Sequence, residues 1–185
     1  MRLFVSVDLP DEFAEPVADL QAAFADASGL NFTDPEQAHV TVKFLGDVAE
    51  DRVPDLCTEL EGAVADAGVE PFTARFGGLG VFPSLEYISV VWLGVEEGGE
   101  ELTRLQEAVE ERTTAIGFDP ERHDFTPHVT LARMEHAGGK ELIQKLVRER
   151  DPTVGETVVE ELRLTESTLT PEGPEYSTVE SFSLE

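Results

Sequence analysis

The chain carries one cysteine, three lysines and no apolar run of membrane length in its 185 residues. A single thiol, Cys57, excludes an internal disulfide and fits a reducing cytosol. It falls on the apolar stripe of a predicted helix, so it is expected as a buried structural thiol. The opening run Leu3 to Val7 is short and is broken by Asp8 and Pro10, with no basic segment before it. The expectation is a soluble, cytoplasmic protein with no membrane partner. Positive charge is the third scarcity: 13 basic against 39 acidic residues, net −26, with Lys43, Lys140 and Lys145 the only lysines. In dilute buffer such a surface repels phosphates. Acidic residues run through the whole chain rather than forming one tail, which resembles salt-adapted surfaces. At about 1 M salt the Debye length is roughly 3 Å and only contact electrostatics survive. Folding and activity are therefore expected to need high salt, and so large a net charge favours a monomer.

Apolar content of 41%, with 11 Phe, is enough for a real core in one domain or two small lobes. The informative presence is a motif that occurs twice, His39-Val40-Thr41 and His128-Val129-Thr130. In a strand, alternate side chains share a face, so each His stands with its Thr about 6.6 Å along the strand. Val40, Val42 and Phe44, and likewise Val129 and Leu131, are expected to point the other way, into apolar packing. Each copy offers an imidazole and a hydroxyl to a cleft.

The flanking elements repeat in order. Arg2 to Leu9 alternates as a strand, and a helix follows with Phe13, Val17, Leu20, Phe24 and Ala27 on one face. After the first motif comes a helix with Val53, Leu56, Cys57, Leu60, Val64 and Ala67, then a strand from Pro71 to Gly80. The second half gives a strand from Tyr87 to Val95, a helix through Leu102, Leu105, Val109 and Ile116, the second motif, and a short helix with Leu142, Ile143, Leu146 and Val147. Strands at Thr157 to Thr168 and Tyr176 to Leu184 close the chain around the turn Thr170-Pro171-Glu172-Gly173-Pro174. The two His lie 89 positions apart. The expected fold class is α+β: a bilobal pseudo-two-fold duplication, with halves about 1–84 and 85–185. Two antiparallel or mixed sheets line a central cleft, and helices cover the outer faces.

A lone strand His is usually a hydrogen-bonded structural residue, but a core has no use for one at two equivalent points. Two His are too few for a zinc site, and neither His123 nor His136, nor the acidic Asp124 and Glu135, shares the strand face of His39. No Gly-x-Ser-x-Gly elbow is present, and Cys57 is expected buried. Acid–base chemistry on a phosphodiester needs neither metal nor nucleophile. One neutral imidazole takes a proton from the attacking oxygen and one imidazolium gives a proton to the leaving oxygen, while the two Thr hydroxyls hold the non-bridging oxygens. No cofactor is expected.

These residues resemble the two-histidine (2H) phosphoesterase superfamily, within it the RNA 2′,3′-cyclic phosphodiesterases, also called 2′-5′ RNA ligases. The resemblance runs nearly end to end. It takes in the opening strand Arg2 to Pro10, the stretches His39 to Gly46 and Phe125 to Arg133, the mid-chain segments Gly78 to Pro83 and Val91 to Val95, and the closing hairpin Glu166 to Tyr176. It implies a metal-free hydrolysis of RNA 2′,3′-cyclic phosphate ends, or of cyclic nucleotides, to 2′-phosphomonoesters. By resemblance His39 is the proton donor, His128 the proton acceptor, and Thr41 and Thr130 bind the phosphate. Reverse 2′-5′ ligation is implied as secondary, since abundant water favours hydrolysis. Lys43, on the His39–Thr41 face by alternation, and Arg133, after the second motif, would either make the cleft locally positive or be solvated or ion-paired. Phe125 is a possible RNA contact, left open, whereas Phe44 is expected in the core. Arg122 and His123 touch the RNA backbone or merely occupy a surface loop. The alternative is a non-catalytic RNA- or nucleotide-binding module with the same cleft.

Overall fold

The computed structural model describes residues 1–184. In chain order the strands are β1 (Arg2–Asp8), β2 (Leu30–Phe32), β3 (His39–Asp47), β4 (Phe72–Pro83), β5 (Ile88–Glu97), β6 (His128–Met134), β7 (Thr153–Val159), β8 (Glu161–Thr170) and β9 (Gly173–Ser183). The helices are α1 (Ala14–Ala22), α2 (Val53–Ala67), α3 (Gly99–Ala115) and α4 (Lys140–Glu149). The architecture is α+β. The two expected sheets are one nine-stranded sheet, ordered β7-β4-β5-β6-β3-β1-β8-β9 with β2 beside β6, and every pairing is antiparallel. Its middle is a narrow seam. The two motif strands, β3 and β6, pair through Val40 and Val129 alone.

The chain itself forces this sheet to curl. β7 and β8 follow each other across Glu160, yet β7 pairs with β4 at one end of the sheet and β8 pairs with β1 near the other. The two arms must bend toward each other for one nearly continuous stretch to serve both. Thr157 to Thr168, expected as one strand, spans the end of β7 and most of β8, because it shows no turn residue where the partner changes. It also placed no strand at β2, whose three residues are too few to carry a pattern.

Alternation on β1 buries Leu3, Val5 and Val7 against the helices, with Leu56 and Leu60 of α2 and Leu102, Leu105 and Val109 of α3 in the same core. Each such side chain contributes roughly 1.5–3 kcal/mol by leaving water. α2 stops at Gly68, whose φ of 60° is open to glycine at little cost. Cys57, expected fully buried, is only partly so at the edge of this core. A second, smaller core holds Phe24, Ala27, Ile88, Val91 and Ile143 under α4. α1 is shorter than its apolar spacing suggests and ends at Ala22, although Phe24 and Ala27 stay buried in the turn beyond. Among the described residues no helix is long and apolar enough to cross a membrane.

Both motif strands carry a bulge at the same place. β3 has an extra residue, Val42, opposite the Val5–Ser6 step of β1, and β6 has an extra residue, Leu131, opposite the Val91–Trp92 step of β5. Each lies three residues past its His, and a bulge shifts the side-chain alternation by one. From the His onward, both strands therefore run half-buried, buried, half-buried, buried, buried, exposed. On the β2 side of the β6 bulge, Leu131 O accepts from Thr33 N–H at 3.0 Å, and side chains add further bonds. Gln21 of α1 donates to Leu131 O at 3.0 Å, and the Thr33 hydroxyl donates to Thr130 O at 2.9 Å.

The bulge overturns two expectations. Lys43, expected beside His39 in the cleft, is 2% exposed on the helix side, where its Nζ donates to Glu110 Oε1 at 2.7 Å. Phe44, expected in the core, is 47% exposed, with the Arg2 guanidinium 5.0 Å from its ring centre. Simple alternation fails at both because the extra residue inverts it.

Candidate active site

The seam sets the site. Val40 opposite Val129 in antiparallel register places His39 across from Thr130 and Thr41 across from His128. Each imidazole then stands diagonally from the other, the two residues about 7–8 Å apart for such a register and somewhat closer at the Cβ atoms. A phosphate group fits a gap of that order.

Each ring is held in the same way. His39 Nδ1 donates to Gln37 O at 2.9 Å, and His128 Nδ1 donates to Thr126 O at 2.7 Å. A carbonyl only accepts, so Nδ1 bears the hydrogen in both and the lone pair of the neutral ring is on Nε2. His39 Nε2 lies 3.0 Å from Thr41 Oγ1, which donates to it when the ring is neutral.

Aromatic rings frame both imidazoles. Phe4 and Tyr176 lie 5.0 and 5.2 Å from His39, and Phe82 and Trp92 lie 4.9 and 5.9 Å from His128, centre to centre. The Trp92 indole lies over Gly80, where a Cβ would come within 2.2 Å of it, so the glycine is a requirement of that ring. This burial depresses both His pKa values below the ordinary 6.5. The carbonyl bonds from Nδ1 oppose the shift, as does the carboxylate of Asp8 for His39. Arg133 lowers both further, and the charge of His39 lowers His128, which puts the two rings and this guanidinium in one electrostatic environment.

Arg133 is exposed on the cleft face of β6. Phe125 instead packs, half-buried, against the main core. Arg122 and His123 are exposed in the loop before β6, and His136 Nδ1 accepts from Gly138 N–H at 3.1 Å in the turn after it. The four framing aromatics were not singled out from the sequence. Phe4 left a signal, because it stands out of phase on the polar side of β1 with Arg2, Ser6 and Asp8. Tyr176 left none.

Two cavities flank the imidazoles. One, of 570 Å³, includes His39, Gln37 and Tyr176 and is rimmed by Asp8, Asp11, Glu36, Glu160 and Glu161. Its one cation, Arg163, is bound to Asp8 and Glu161, both at 2.9 Å. The other, of 720 Å³, opens beside Thr126 and Pro127, just before His128, and is walled by Trp92 and a run of glycines.

Residues 9–170 match the family model of the 2′-5′ RNA ligase superfamily. The chain belongs to that superfamily. Within it, the chain is 37% identical to the RNA 2′,3′-cyclic phosphodiesterase of Methanothermobacter thermautotrophicus, covering 100% of this chain and 99% of that protein. It is 35% identical to the Archaeoglobus fulgidus protein of the same name, over 98% and 99%. Among solved structures, TT0787 of Thermus thermophilus superposes with a TM-score of 0.80 at 32% identity, covering 100% of this chain and 98% of that one.

Proposed function

We propose that this protein hydrolyses RNA 2′,3′-cyclic phosphodiester ends to 2′-phosphomonoesters by paired imidazole acid–base catalysis, without a metal, and joins ends through a 2′-5′ bond in reverse. The single observation that carries this reading is the seam. Two His-x-Thr strands meet in antiparallel register, with both Nδ1–H groups tethered to carbonyls, which leaves Nε2 of each ring as the nitrogen for proton transfer.

In this reading His128 Nε2 takes a proton from water as its oxygen attacks phosphorus. The P–O3′ bond breaks, and His39 Nε2–H delivers its proton to the departing 3′ oxygen. Each transfer is worth about 10²–10⁴-fold. Thr41 and Thr130 hydroxyls donate to the non-bridging oxygens, and Arg133 balances the charge that develops there. Burial favours neutral rings in the free protein. An entering phosphate anion restores the proton on His39, since a nearby negative charge raises an imidazole's pKa.

The order of strands about the seam, β3-β1-β8-β9 on one side and β6-β5-β4-β7 on the other, supports a pseudo-two-fold relation in which β1, β3 and β4 of residues 1–84 correspond to β5, β6 and β8 of residues 85–185. β4 lies in the β6 arm and β8 in the β3 arm, so the cleft runs between the two arms and not between the two halves of the chain. The ratio of 39 acidic to 13 basic residues supports a salt-adapted, monomeric, cytoplasmic protein. Salt screens the approach of RNA that the net charge would otherwise repel. Folding and turnover should be lost together as KCl is dialysed away, measured by circular dichroism and product formation.

The deciding experiment incubates the protein with a 2′,3′-cyclic nucleotide in EDTA and high salt, then separates the products. A 2′-phosphate product supports the enzyme. Tight binding without turnover favours a binding module, and inhibition by EDTA demands a metal.

A further inference from the structure

The 720 Å³ cavity is far larger than hydrolysis requires. A water molecule occupies about 30 Å³, and pockets of about 300–1,000 Å³ hold small organic ligands. Its position is informative once His39 and His128 have roles. In-line displacement at phosphorus puts the leaving oxygen and its ribose on the side of the acid, and the entering oxygen on the side of the base. With His39 as acid, the terminal nucleoside of the cyclic end lies toward the acidic cavity that includes His39. The larger cavity adjoins the base. Thr126, whose carbonyl holds His128 Nδ1, lines it, and Trp92 is at once its wall and the ring neighbour of His128.

Its lining also differs in chemistry. Trp92 presents an aromatic surface, and Gly77, Gly78 and Gly94 leave the floor without side chains. Arg104, on the first turns of α3, is exposed at its rim, which it shares with Glu100 one helical turn before it, and makes no ion pair among the described residues. An aromatic wall takes a base face, and a free guanidinium takes a phosphodiester.

We propose that this cavity is the acceptor subsite, taking the 5′-hydroxyl end of an RNA strand: its first base against Trp92 and its first 3′-phosphodiester at Arg104. The proposal rests on the acid and base roles assigned above. In the step it serves, His128 Nε2 removes the proton of the 5′-hydroxyl, the O5′–P bond forms, the P–O3′ bond breaks, and His39 Nε2–H protonates O3′. The product is a 2′-5′ phosphodiester with a free 3′-hydroxyl. Proton exchange with solvent resets both rings, and no oxidant or cofactor enters.

The test uses the full chain in EDTA and about 2 M KCl, with an RNA ending in a 2′,3′-cyclic phosphate as donor and a 5′-hydroxyl RNA dinucleotide as acceptor. The readout is the ratio of 2′-5′ joined product to 2′-phosphate product. Gly99→Trp fills the cavity from a position where an added Cβ meets no heavy atom within 4 Å. It should lower that ratio by about tenfold or more, as a blocked pocket does, with hydrolysis of a cyclic mononucleotide nearly unchanged. If that variant fails to fold, Thr103→Phe fills the same wall from one helical turn on. Arg104→Gln should raise the acceptor KM about tenfold and leave a nucleoside acceptor lacking the 3′-phosphate unaffected. An unchanged ratio, or equal loss of hydrolysis and joining, overturns the subsite. So does wild-type protein that hydrolyses but never joins at any acceptor concentration. Wild-type protein that does neither refutes the acid–base reading itself.

Discussion

The His39 half and the His128 half build the same device with different surroundings. Strand, bulge, burial order and the tether of Nδ1 to the carbonyl two residues upstream coincide. The residues beyond each Thr differ: the fourth and fifth positions past His39 are Lys43 and Phe44, and past His128 they are Ala132 and Arg133. So the same backbone turns a cation inward in one half and outward in the other. Frame and cavity diverge too, with carboxylates around His39 and glycines with Trp92 near His128. Two similar strands hold equivalent nitrogens in unequal surroundings, and the proposed acid and base roles rest on that inequality.

The strongest way to break the comparison is to remove one nitrogen at a time. His39→Ala and His128→Ala should each reduce kcat by about 10²–10⁴-fold with the fold intact by circular dichroism. An activated aryl phosphodiester, whose leaving group needs no proton, should restore most of the rate to His39→Ala and little to His128→Ala. Equal rescue of the two variants would reverse or erase the assigned division.

The inward cation of the first half gives the next effect. Glu110 accepts from Lys43 and also from the backbone N–H of Glu121 in the loop before β6. Glu110→Ala leaves Lys43 charged and without its partner, at a cost of about 3 kcal/mol in a denaturant melt. Lys43→Met removes the charge as well and should cost distinctly less.

The two threonines make a smaller contrast. Thr41→Val and Thr130→Val should each lower kcat/KM about tenfold through one lost hydrogen bond to the phosphate. Only Thr41→Val should also move a limb of the pH profile, because among the described residues Thr41 alone of the two is bonded to its own imidazole in the free protein.

The mildest test concerns pH. A depressed His pKa keeps the ring neutral to lower pH, so the state with one proton shared between the two rings is most populated on the acid side of 6.5. The maximum in kcat/KM should fall there. The maximum in kcat should lie at higher pH, because bound phosphate raises both rings. Steady-state kinetics across about pH 5 to 9 would read both maxima.

Much of this was legible in the chain. His39 and His128, with their threonines, are local repeats that need only the period of a strand, and α2, α3 and the β8–β9 hairpin follow from apolar spacing and turn residues. Lys43 and Phe44 were misplaced because a bulge is decided by the neighbouring strand, and one extra residue inverts every face beyond it. Phe4, Tyr176, Phe82 and Trp92 come from four different strands, and no spacing along the chain relates them.

Alone, the sequence determined the paired His-x-Thr motifs, the strands that carry them and the excess of acidic residues, because each depends on residue identity and on periods of a few residues. Only the tertiary structure decided that β3 meets β6 at Val40 and Val129, that the sheet curls through β7 and β8, and which side chains surround each imidazole. Those outcomes rest on strand pairing between distant segments, where register and burial are settled by the partner rather than by the strand.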